Sequence, residues 1–134
     1  MYKVLVIDAN IHSAQETASA LTKSGFEVIT ASSEPGGLKI ADEVFLDAVV
    51  VKDGSPQLDS HKLCQRIRHL LDLPVILLGN KQETEVYHTA FEAGADWDCY
   101  MCLPINYEIL AARIKVLLWR YGKAELPHQF DDKG

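Results

Sequence analysis

Five short apolar runs, each followed by a longer stretch of helical periodicity, constrain this chain more than any other feature. Tyr2 to Ile7, Glu27 to Ala31, Ala48 to Val51, Pro74 to Leu78 and Tyr100 to Cys102 read as strands. Several are apolar almost without interruption, as in Val49-Val50-Val51 and Val75-Ile76-Leu77-Leu78. A strand with one wet face alternates polar and apolar residues, so continuous runs point to strands buried on both faces, as in parallel sheets. Asn10 to Lys23, Pro35 to Leu46, Ser60 to Leu71, Glu83 to Ala93 and Tyr107 to Tyr121 read as the intervening helices. Their inward faces are predicted to carry Ile11, Ala14, Ala18 and Leu21, then Leu38, Ala41 and Phe45, and finally Leu110, Ile114, Leu117 and Leu118. Gly25 and Gly94 stand just past helix ends, where a left-handed residue is needed, and Gly36-Gly37 weakens the first turn of the second helix.

Repeated β-α units joined by right-handed crossovers leave few topologies. The chain is therefore expected to form an α/β fold of the flavodoxin-like (βα)5 kind. Its parallel sheet would have the order 2-1-3-4-5, with helices on both faces. Such sheets place their functional site beyond the carboxyl ends of the strands. Here those ends are Asp8, Lys52, Gly79 and the segment around Leu103.

At 134 residues the chain suits one core. Residues 1–121 are read as that domain and 122–134 as a polar linker, broken by Pro127. The formal charge of −6 argues against direct contact with nucleic acid. Every apolar run falls well short of the roughly 20 residues that span a bilayer, and no signal segment is evident, so a cytoplasmic location is expected. Cys64, Cys99 and Cys102 form no disulfide framework, which suits a reducing compartment. The spacing Cys99-Tyr100-Met101-Cys102 matches a thiol redox motif, but within a strand an offset of three puts the two sulfurs on opposite faces. The better reading is buried structural cysteines. His12, His61, His69, His88 and His128 show no metal-type spacing.

The chain resembles the receiver domain of two-component response regulators over about residues 2–121. The resemblance rests on Val4-Leu5-Val6-Ile7-Asp8, Asp47-Ala48-Val49-Val50-Val51, Pro74-Val75-Ile76-Leu77-Leu78, Phe91-Glu92-Ala93-Gly94-Ala95-Asp96, Leu103-Pro104 and Leu110-Ala111-Ala112-Arg113-Ile114. Receivers take a phosphoryl group from a histidine kinase in a Mg²⁺-binding carboxylate pocket. That pattern implies paired acids where this chain has Asp8-Ala9, and an acceptor aspartate where it has Lys52. It also implies Ser or Thr where Gly79 stands and lysine where Leu103 stands. Tyr100 matches the family's switch aromatic. Mg²⁺ favours oxygen ligands that include carboxylates, and a lysine ammonium repels it, so an ion pair between Asp8 and Lys52 is expected in its place. Asp8 could also cap the first helix.

The expectation is a degenerate, phosphate-independent receiver with no catalytic residue, no metal and no cofactor. Asp53 would be the acceptor only if the third strand slipped by one residue, which reverses side-chain facing. The resemblance is closest to receivers of the OmpR/PhoB class, joined to winged-helix DNA-binding domains, and implies a homodimer through helix 4, strand 5 and helix 5. Asp96, Arg113 and Arg120 match charge-pair positions of that class, while Tyr87 and Ile109 replace charged residues with apolar ones. Phe130-Asp131-Asp132-Lys133-Gly134 looks like the opening of such an output domain. Other readings are a stand-alone receiver docking on a histidine kinase or another protein, and a flavin or nucleotide binder. The binder lacks a phosphate-cradling loop after the first strand. Trp97 and Asp98 look like an insertion relative to receivers and are expected to form a bulge or longer loop.

Overall fold

The computed structural model describes residues 1–93 and 95–124. Its elements run β1 (Lys3–Ile7), α1 (Ile11–Lys23), β2 (Glu27–Ala31), α2 (Glu34–Glu43), β3 (Ala48–Lys52), α3 (Ser60–Leu70), β4 (Val75–Gly79), α4 (Glu83–Ala93), β5 (Cys99–Cys102) and α5 (Tyr107–Arg120). The strands form one parallel sheet in the order β2-β1-β3-β4-β5. This is the flavodoxin-like arrangement implied by the continuous apolar runs, and strands β1, β3 and β4 are buried along nearly their whole length.

Period-two alternation sorts the strand residues to two cores. Val4, Val6, Val50, Ile76, Leu78 and Met101 pack beneath α1 and α5, which contribute Leu21, Leu110, Ile114 and Leu118. Leu5, Ile7, Val49, Val51, Leu77 and Tyr100 pack on the other face against Ala41 of α2 and Leu63, Cys64 and Ile67 of α3. Helix starts are set by side-chain caps: Asn10, Ser33, Asp59 and Asn106 each accept backbone N–H groups of the first turn. These bonds satisfy donors that the helix leaves unpaired. Asn10, rather than Asp8, is thus the cap of α1.

Two apolar positions differ from the periodicity. Helix α2 stops at Glu43 and Val44 is extended, so the helical phase breaks there. Phe45 is therefore 88% exposed while Leu46 turns inward. Ile11 opens α1 on the solvent side and is 62% exposed, and Thr17 takes the buried place within the Ala14–Leu21 stripe. The double glycine of α2 has a packing reason. A Cβ at Gly37 would lie 2.6 Å from Cδ1 of Ile7, so the helix approaches β1 as closely as it does only with glycine there. No helix among the described residues is long and apolar enough to cross a membrane.

Candidate functional site

The carboxyl ends of β1, β3 and β4 open onto a cleft of about 480 Å³ lined by Asp8, Ala9, Asn10, Lys52, Asp53, Gly54, Ser55, Gln57, Asn80 and Leu103. Parallel register puts Lys52 at the end of β3, opposite Leu78, with Val51 between Ile7 and Leu77. Nothing has slipped: Asp53 follows the strand, its N–H donates to Leu78 C=O at 2.7 Å, and its Oδ1 accepts from Ser60 Oγ at 2.6 Å.

Asp8 is 3% exposed. Its Oδ1 accepts the Asn10 N–H at 2.9 Å, and its Oδ2 takes a short hydrogen bond from the Ser13 hydroxyl. The Lys52 ammonium donates to Ser13 Oγ at 2.9 Å and lies 3.9 Å from Asp8 Oδ2. A chain of contacts therefore runs from ammonium to hydroxyl to carboxylate, with the hydroxyl donating one way and accepting the other. Ser13 belongs to none of the motifs in the sequence. It stands in the first turn of α1, where Asn10 accepts its N–H.

The residues present do not fit Mg²⁺. Both Asp8 oxygens already accept hydrogen bonds, Ala9 supplies no ligand atom from its side chain, and the Lys52 ammonium lies 3.9 Å from Asp8 Oδ2. A divalent ion beside Asp8 would meet the charge of that ammonium. Among the described residues, no group of three or more His, Cys, Asp or Glu side chains could hold a metal.

Beside the cleft, Tyr100 is 2% exposed and its ring lies over Gly79. Its hydroxyl accepts the Lys81 N–H at 2.9 Å and donates to Lys81 C=O at 3.0 Å. Burial pushes its phenol pKa up, and the Lys81 backbone bond opposes part of that rise. The Tyr100 N–H in turn donates to Tyr87 Oη at 2.9 Å, so α4 grips the open edge of β5. Glu83, one turn earlier, accepts the Cys102 N–H at 3.4 Å. Leu103-Pro104 is a cis peptide.

Trp97 and Asp98 do not loop out. Trp97 is buried, edge-on to Tyr87 at 5.2 Å between ring centroids and 6.0 Å from Tyr100. Asp98 extends the sheet: its N–H donates to Val75 C=O and its Oδ2 accepts the Val75 N–H, both at 2.7 Å. The same carboxylate pairs with Arg68 Nη2 and accepts from Tyr121 Oη, each at 2.6 Å. The cysteines are free: Cys64 and Cys99 are buried and Cys102 is partly so. Cys99 belongs to the core under α5 and Cys102 packs on the opposite core, the facing that a strand offset of three requires. Burial raises the Cys64 thiol pKa to about 12.

Of the remaining surface positions, Tyr87 and Ile109 are exposed on α4 and α5, Asp96 is exposed before β5, and Arg120 is exposed at the end of α5. Arg113 is half-buried, with Nη1 3.5 Å from Cys99 Sγ. Gly94 and the chain from 125 onward, with His128 and Phe130 to Gly134, lie outside the described residues.

No family model matches the chain. A solved structure of the beryllofluoride-activated DrrB receiver domain is 31% identical, with a TM-score of 0.73, covering 90% of this chain and 99% of that one. The chain belongs to the response-regulator receiver family. A receiver domain from Clostridium thermocellum superimposes with a TM-score of 0.79 at 27% identity, covering 91% of this chain and 98% of that one. Among longer proteins, the probable transcriptional regulator ycf27 of Guillardia theta is 33% identical over 98% of this receiver and 51% of its own length. The transcriptional regulatory protein AfsQ1 of Streptomyces coelicolor is 36% identical over 79% of the receiver and 46% of its own length. The receiver thus spans about half the length of these regulators.

Proposed function

We propose that this receiver regulates by protein contact without aspartyl phosphate, as the receiver half of a cytoplasmic transcription regulator. The observation that carries the reading is Lys52, whose ammonium bonds Ser13 and faces Asp8 across 3.9 Å in the cleft. An acyl phosphate needs a carboxylate nucleophile, and lysine at that position cannot form one. The fixed charge stands where metal and phosphoryl group would otherwise meet, and Gly79 and Leu103 bring no hydroxyl or ammonium to stabilise a transferred group. The domain then has no turnover of its own. Transcription enters through the relatives, which are named as transcriptional regulators and are about twice as long.

Homodimerisation through α4, β5 and α5 is the output. Tyr87 and Ile109 are its apolar centre, and Asp96, Arg113 and Arg120 form its charged rim. Replacing interfacial charge pairs with packed apolar groups is often neutral or stabilising, and it removes the need for a phosphate to assemble the face.

The test is sedimentation and intact mass of the chain with and without Mg²⁺, beryllofluoride and a small phosphodonor. The expected result is a dimer indifferent to all three, dissociated by Ile109→Asp, with no phosphoryl adduct. A stoichiometric adduct abolished by Asp53→Asn would overturn phosphate independence. A monomer under every condition would overturn the dimer.

A further inference from the structure

Gly79 is not glycine for the sake of its backbone. Positive φ angles occur at Gly25, Gly54 and Gly122, and Gly79 is absent from that set. Space is what requires it. A Cβ at this position would stand 2.7 Å from Tyr100 Oη, 3.1 Å from Cε1 and 3.2 Å from Cζ. The neighbour that would have to yield is a rigid ring, not the tip of a flexible chain. It is buried, and its hydroxyl is held on both sides by Lys81.

Tyr100 is also tied from behind. Its backbone N–H donates to Tyr87 Oη at 2.9 Å, and the same Tyr87 hydroxyl donates to Tyr100 C=O at 3.3 Å. Trp97 packs against both rings. One residue therefore connects two regions. At its tip is the strand-to-helix turn of Asn80 and Lys81, where Asn80 lines the cleft. At its backbone is the face formed by α4 and β5. If the ring turned outward, the space over Gly79 would empty, the Lys81 N–H would lose its acceptor, and Trp97 would lose a packing partner. Each loss opposes the turn.

We propose that the missing side chain at position 79 latches Tyr100 inward, so that the α4–β5 face is held in one form whatever occupies the cleft. The latch needs only space and two hydrogen bonds. It stands independently of the phosphate-free reading of Lys52, and it fails or survives separately from it. A competing view is that Tyr100 is ordinary core, indifferent to residue 79. The two views differ in what a side chain at 79 does.

The experiment uses the full chain with Trp119→Phe, which leaves Trp97 as the single tryptophan. Gly79→Thr is compared with its Gly79 parent by amide hydrogen exchange and by acrylamide quenching of Trp97. The Lys81 and Tyr100 amides, which donate to Tyr100 Oη and Tyr87 Oη, are expected to lose protection by about tenfold or more. Trp97 should become more quenchable, while the Leu77 amide in the central sheet keeps its protection. Tyr100→Phe, which keeps the ring, should release Lys81 and leave Trp97 unchanged. If threonine prevents folding, Gly79→Ala carries the decisive Cβ alone and should show the same direction of change. A folded alanine or threonine variant with Lys81, Tyr100 and Trp97 all as in the parent would overturn the latch.

Discussion

Asp8, Ser13 and Lys52 form a unit whose energetics depend on burial more than on distance. The Asp8 side chain is 4% exposed and that of Lys52 is 25% exposed, so the pair lies between the surface and buried limits. Removing one partner of a fully buried pair costs about 3–5 kcal/mol, whereas exposed pairs contribute about 0–1 kcal/mol. Lys52→Met leaves Asp8 with the Asn10 N–H and the Ser13 hydroxyl, so a loss of about 1–3 kcal/mol is expected. Asp8→Asn combined with Lys52→Met should cost less than the sum of the two, because neither charge is then stranded. Urea denaturation of the four proteins in that cycle measures the coupling, and strict additivity would show that the pair does not interact. The place of the cleft was legible, because a parallel sheet opens its site beyond the strand ends, and Ala9, Lys52 and Leu103 line it while Gly79 ends β4 beside it. The role of Ser13 was not, since it comes from a helix turn carrying a common hydroxyl to a residue five positions away.

Among the elements, strand identity was legible because burial on both faces leaves a continuous apolar signature. Helix α2 shows where that legibility ends. Periodicity carried the helix through Leu46, but Val44 is extended, and local backbone geometry decided which of two adjacent apolar residues faced inward. The paired glycines of α2 allow a sharper test. Propensity alone favours alanine over glycine in a helix by about 1 kcal/mol. At Gly36 the nearest side chain is the capping Ser33 hydroxyl at 3.1 Å, in a partly open turn. At Gly37 a Cβ meets Ile7, which is 0% exposed and has no room to retreat. Overpacking of that kind costs about 1–3 kcal/mol, enough to cancel or exceed the propensity gain. Gly36→Ala should therefore be neutral or stabilising and Gly37→Ala destabilising by about 1–2 kcal/mol. Thermal or urea unfolding of the two variants checks the sign, and equal gains at both positions would refute close packing of α2 on β1.

At the scale of the whole molecule, Trp97 and Asp98 join parts that sequence alone kept separate. Asp98 holds Val75 of β4, Arg68 of α3 and Tyr121 beyond α5, and Arg68 Nη1 also donates to Tyr121 Oη at 3.0 Å. Sequence spacing drew attention to these two residues, but not to the meeting of Asp98 with side chains of α3 and of the residue that follows α5. The Tyr121 phenol pKa is raised from 10.0 to about 12, first by burial and then by the Asp98 hydrogen bond and charge, with Arg68 opposing. A phenol is neutral when protonated, so a higher pKa in the folded state means that folding favours the protonated form. Its stabilising contribution is full below the unfolded value of 10.0 and is lost as pH rises through the folded value of about 12. Tyr87 and Tyr100 are shifted in the same direction, mainly by burial, so the wild-type decline in that window has several sources. Tyr121→Phe isolates one of them: it should be less stable than wild type near neutrality, and the difference should shrink as pH rises from 10.0 toward about 12. Urea midpoints of both proteins across that range measure it. A stability difference that stays constant with pH would mean that the Tyr121 proton is not what ties α5 to the sheet.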